Sequence, residues 1–113
     1  MKILILVVLA LLLISFPLYA QSTIYGYGAY SCGHYVKALD GYRHNNRVDS
    51  IDYFVFVGWF QGFATNQSIE SGQNVLHGRD VDSIGVWLEK YCREHPVDKF
   101  VTAGQKLLSD QGK

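Results

Sequence analysis

The side chains with the most chemical potential are two cysteines and the histidines near them. Cys32-Gly33-His34 and Cys92-Arg93-Glu94-His95 carry two thiols and two imidazoles, the donor set of a Cys2His2 zinc site. Cys92 and His95 are three residues apart, one helical turn, so both can face one ion. The C-x-H half departs from the usual spacing of such sites. The same groups also suggest a Cys–His nucleophile pair, which needs a free thiol of lowered pKa. Both chemistries require reduced cysteines, so the compartment decides between them and a disulfide. Asp80-Val81-Asp82 opens like a calcium loop with Gly85 at its sixth position. Ile84 and Tyr91 then occupy the fifth and twelfth positions, where oxygen ligands are required, so the two aspartates read as helix-start residues. The sequence contains no nucleophile elbow, phosphate-binding loop, dinucleotide fingerprint, H-E-x-x-H or haem-attachment motif. The expectation is a non-enzyme with no catalytic, cofactor-binding or metal-binding residues.

The N-terminus indicates the compartment. Met1-Lys2 is followed by an unbroken apolar run from Ile3 to Leu13, then Ser15, Pro17 and the small residue Ala20. This is the layout of a secretory signal peptide, with cleavage expected after Ala20 and a periplasmic or secreted location. No cysteine sits at the cleavage point, which argues against a lipid anchor. Residues 1–20 are thus the signal peptide and 21–113 a single domain of roughly 93 residues. In an oxidising compartment two cysteines pair, so Cys32 and Cys92 are expected to form a disulfide closing a loop of about 60 residues.

Ten basic and ten acidic side chains balance in the whole chain, and loss of Lys2 leaves the exported part near neutral, at about −1. There is no basic stripe for nucleic acid and no polybasic patch for anionic lipid. Nucleic acid and, after cleavage, the membrane are therefore excluded as partners.

Hydrophobic periodicity supplies the elements that must position these residues. Residues 21–30 are rich in glycine and tyrosine and read as a loose lead-in. A first helix over 31–42 carries Cys32, Tyr35, Val36 and Leu39 on one face, with Ser31 as N-cap. A second, central helix is capped by Asp49 or Ser50. Its main stripe is Ile51, Phe54, Val55, Gly58, Trp59, Gly62 and Phe63, and Phe56, Val57 and Phe60 make it apolar on other sides. Residues 65–79 read as a long polar connection. A third helix starts near Asp80–Ser83 and presents Ile84, Trp87, Leu88, Tyr91, Cys92 and His95. Pro96 ends it and begins a fourth, with Val97, Phe100, Val101, Gly104, Leu107 and Leu108 inward. The fold expected is all-α: a small four-helix domain stapled by one disulfide.

Two further features concern binding. Gly58 and Gly62 form a G-x-x-x-G pair. It marks dimer contacts in membrane spans, and in a soluble bundle it lets a neighbouring helix or a ring such as Trp59 or Trp87 approach. The lead-in residues Tyr25, Tyr27 and Tyr30 are the tyrosines furthest from the predicted core and are the expected interface side chains. Asn66-Gln67-Ser68 matches a glycosylation sequon.

Ser31-Cys32-Gly33, the centre Val57-Gly58-Trp59-Phe60-Gln61-Gly62-Phe63, and Trp87-Leu88-x-x-Tyr91-Cys92-x-x-His95-Pro96 ahead of Phe100, Ala103 and Leu107 carry a resemblance. The pattern resembles small exported bacterial helical proteins. It is similar, more distantly, to HdeA-type acid-stress chaperones and to Rap/Tai immunity proteins that block type VI secretion amidases. It covers about 31–108. The resemblance implies a periplasmic protein that binds another protein, either a stress client or a secreted effector. Some immunity proteins of this type carry extra cysteines between the second and third helices, and this chain has none there, so the client-binding role is the nearer implication. Such a chaperone loosens or monomerises in acid, which implies a homodimer at neutral pH. A small apolar-ligand-binding module is the remaining alternative and requires a pocket between helices.

Overall fold

The computed structural model describes residues 1–13 and 23–110. Five helices follow in order: α1 (Lys2–Leu13), α2 (Cys32–Arg43), α3 (Arg47–Ser71), α4 (Val81–Glu94) and α5 (Phe100–Ser109). A 3₁₀ turn, Gly26–Ala29, precedes α2. Among the described residues there is no strand, only an isolated antiparallel bridge between Ser31 and Lys99. The apolar run from Ile3 to Leu13 lies in α1, which packs against none of the other helices. The cleavage point expected after Ala20 lies outside the described residues. No described helix is long and apolar enough to cross a membrane.

Side-chain caps set the helix starts. Ser31 Oγ accepts from the His34 N–H at 3.1 Å, and Asp80 Oδ1 accepts from the Ser83 N–H at 2.7 Å. Each satisfies an orphan donor of a first turn. The cap of α3 is Asn46, not Asp49 or Ser50: its Oδ1 accepts from the Asp49 N–H at 3.0 Å.

Two other sequence expectations are corrected. Residues 65–71 are helical, because α3 runs on through Ser71 to a left-handed Gly72 at φ 68°, a conformation glycine adopts without a Cβ penalty. Thr65 joins the helix by donating its hydroxyl to the Gln61 carbonyl at 2.8 Å. Pro96 does not begin the last helix. Residues 96–98 form a turn whose carbonyls serve α2 instead. The Cys32 N–H donates to Asp98 O at 2.7 Å and the Gly33 N–H to Pro96 O at 2.9 Å. Those donors at the start of α2 have no partner within their own helix, so the turn covers them and α5 starts only at Phe100.

The core is aromatic. Phe56 of α3 is fully buried, with Tyr27, Tyr35 and Phe100 packed around it at centroid separations of 4.9, 5.5 and 4.9 Å. Tyr35 stacks on Phe100 at 4.8 Å. Phe60, Ala64, Leu88, Ala103 and Leu107 complete the interior. Cys32 and Cys92 are both fully buried and joined, with Cα atoms 4.7 Å apart, so the disulfide ties α2 to α4. Beside it, Arg93 forks onto Asp40 at 2.6 and 3.4 Å, and Arg43 donates to Glu89 at 2.8 Å. Both ion pairs also bridge α2 and α4.

Candidate protein interface

The disulfide settles the fate of the thiols. Each sulfur is bonded to the other, so neither can be a thiolate ligand or nucleophile. His34 and His95 serve other partners. His34 Nε2 lies 3.3 Å from Asp52 Oδ2, and His95 Nδ1 lies 2.9 Å from the Tyr91 carbonyl. Among the described residues no cluster of three metal-ligating side chains occurs.

The three lead-in tyrosines divide. Tyr25 is 80 % exposed and Tyr30 is 46 % exposed, accessible as an interface requires. Tyr27 is half-buried and part of the fold: its hydroxyl donates to Asp52 Oδ1 at 2.8 Å and its ring lies edge-on to Phe56. The lead-in is therefore held, not loose, from Tyr25 to Tyr30. Gly28 lies against the Trp59 ring so closely that any Cβ there would overlap the indole. The Trp59 indole N–H in turn donates to the Tyr25 carbonyl at 2.9 Å. The glycines that suggested looseness are what allow this close approach.

Asp52 is the hinge of this contact, and the sequence offered no signal for it beyond its place on the α3 helix. The hydrogen bond from Tyr27, then that from His34, hold its carboxyl below the usual carboxylate range. Asp40 is lowered by Arg93 and Glu89 by Arg43 in the same way. A carboxylate with a depressed folded pKa stabilises fully above its unfolded value, about 4. That contribution is lost as pH falls through the folded value. The lead-in is thus expected to stay docked from neutral pH down to about pH 4.5 and to loosen below about pH 4. Trp59 fluorescence across this range reads it directly, and Asp52→Asn is expected to remove part of the change. A flat signal to about pH 2 would contradict this account.

Outside α1, whose apolar side chains are exposed from Ile3 to Leu12, the main exposed apolar feature is the outer face of α3. Val48, Ile51, Val55, Gly58, Gly62, Thr65 and Ile69 recur at spacings of three and four, so they form one row along the helix. Val48, Ile51, Val55 and Ile69 are 69, 58, 40 and 74 % exposed, and Phe54 beside the row is 58 % exposed. A Cβ at Gly58 or Gly62 would meet no other atom within 4 Å. The G-x-x-x-G pair therefore lies open at the middle of the row, and the expectation that it admits a neighbouring helix or a tryptophan ring inside the fold is corrected. The central helix buries the other side, through Phe56, Phe60 and Ala64. A 25-residue helix is about 37 Å long, so the row is long and uncharged, with apolar side chains at Val48, Ile51 and Val55 and again at Ile69, and Gly58, Gly62 and Thr65 between them. No family model, curated protein or solved structure matches this chain.

Proposed function

We propose that this chain is a non-enzymatic, exported binding protein whose α3 face holds apolar segments of partly unfolded client polypeptides. The supporting observation is the uncharged row from Val48 to Ile69, exposed along the whole of α3. A client segment that has lost its own core presents apolar side chains and no fixed charge pattern. A track without charges accepts it with no unpaired ion to desolvate. The open glycines at the centre leave room for a client backbone or a bulky ring. The Cys32–Cys92 disulfide fits an oxidising compartment, as a periplasmic or secreted protein needs. Acid loosening of the lead-in about Asp52 adds apolar surface at Phe56 when clients are themselves unfolding, the behaviour implied by the resemblance to HdeA-type chaperones.

The test is suppression of aggregation of a heat- or acid-destabilised model enzyme, followed by light scattering at neutral and acid pH. Ile51→Lys with Val55→Lys is expected to abolish protection. Both positions are solvent-exposed, so each substitution should change stability by no more than about 0.5 kcal/mol. Equal protection by parent and double variant would exclude the α3 face. Absence of protection by the parent at every pH would exclude the client-binding reading.

A further inference from the structure

A cavity of about 130 Å³ lies between α3 and α4, apart from the open row of α3. Its floor is made by the buried side chains of Tyr35, Phe60, Leu88 and Phe100. Its mouth is framed by Gln61 and Val81, both exposed, and by half-buried Arg79. A dry apolar cavity of about 150 Å³ accommodates benzene, so this one matches a single six-membered ring.

Three observations distinguish it from a packing gap. Tyr35 is only 2 % exposed and lines the cavity, yet its hydroxyl has no hydrogen-bond partner among the described residues. Buried tyrosine hydroxyls normally find one. Burial also pushes this phenol's pKa up, so the group remains a donor. Arg79 is the one charged residue of the lining, and its guanidinium makes no ion pair or hydrogen bond among the described residues. Gly85 stands inside α4, where glycine is a poor helix former, and a Cβ added there would meet nothing within 4 Å. The helix therefore carries its weakest residue where a side chain would project into free space.

We propose that this cavity binds a small monocyclic aromatic carboxylate. The ring occupies the apolar body. The carboxylate rests at the mouth on Arg79, whose planar fork matches it. A ring hydroxyl at the far end accepts from Tyr35. An unsubstituted neutral ring fills the space without the anchor, and a long-chain fatty acid exceeds the volume. This site is independent of the client-binding role, so either can fail alone.

The experiment titrates the full chain, disulfide intact, with 4-hydroxybenzoate, benzoate and phenol, using calorimetry and amide shifts at Tyr35, Arg79 and Gly85. The expected result is one equivalent of 4-hydroxybenzoate with a dissociation constant on the order of 1 mM or tighter. Phenol should bind about tenfold more weakly, and Arg79→Gln should weaken 4-hydroxybenzoate by a similar factor. Tyr35→Phe should weaken 4-hydroxybenzoate and leave benzoate unchanged. Gly85→Leu should fill the cavity and abolish binding. If that variant misfolds, the Arg79→Gln and phenol comparisons still decide. The proposal is overturned by any of three results: no saturable response to any probe, phenol binding as tightly as 4-hydroxybenzoate, or full binding in a folded Gly85→Leu chain.

Discussion

Phe56→Ala is expected to destabilise the fold by about 3–5 kcal/mol, the range for truncating a buried aromatic ring. The side chain is fully buried and in ring contact with Tyr27, Tyr35 and Phe100. Its loss leaves a cavity bordered by the lead-in, α2 and α5, three separately anchored elements that cannot all collapse into it. Phe54→Ala is the matched control. Phe54 lies two residues away on the same helix but is 58 % exposed, and its truncation should cost about 0.5 kcal/mol or less. Urea denaturation of the two variants measures the difference. Equal effects at the two positions would mean that α3 buries a different face.

Replacing both cysteines by alanine is expected to cost about 4 kcal/mol, the chain-entropy value for a cross-link of sequence separation 60. Net stabilities of domains are only about 5–15 kcal/mol, so the variant should be marginal at physiological temperature. Alanine is the suitable replacement because both positions are fully buried, and serine would add two hydroxyls in need of partners. The readout is the urea midpoint of the double variant beside that of the parent with and without reductant. An unchanged midpoint in the double variant would mean that the cross-link adds nothing to the non-covalent contacts between α2 and α4, and would overturn this account. Those pairs are solvent-exposed, and each should contribute no more than about 1 kcal/mol.

The two effects trace a division between local and tertiary information. Local rules sufficed for α2 and α4. Ser31 and Asp80 cap them as short polar residues ahead of apolar periodicity, and Cys32 and Cys92 each fall on the face that turns inward. Together with the export expected from residues 1–20, those faces were enough to infer the disulfide. Pro96 correctly marked the end of α4.

The face of α3 was not legible. The helix is apolar on nearly every side, so periodicity along its own length selects no core face. The sequence favours the stripe Ile51, Phe54, Val55, Gly58, Trp59, Gly62 and Phe63; the fold buries Phe56, Phe60 and Ala64 and packs Trp59 and Phe63 half-buried beside them, leaving Ile51, Phe54, Val55, Gly58 and Gly62 outside. That choice belongs to the neighbours: Tyr35 and Phe100 stack into a platform that receives Phe56, and Phe63 lies against Gly104. The part of the stripe left outside became the candidate interface.

The other differences have the same origin. Residues 65–71 look polar and loop-like, but a helix already nucleated by a packed face extends through them until Gly72 ends it. Pro96 suits the first turn of a helix, yet its carbonyl and that of Asp98 are taken by the N–H groups of Cys32 and Gly33, a contact across more than sixty residues of chain. Glycine and tyrosine suggested slack from 21 to 30, whereas Gly28 is required small by Trp59 and Tyr27 is held by Asp52. The sequence by itself thus determined the helical class, the covalent staple and the starts of α2 and α4, because those depend on neighbours within a few residues. Only the tertiary structure decided which face of α3 meets water, what the lead-in rests on and where a cavity remains, because each is a competition among side chains distant in the chain for the same space.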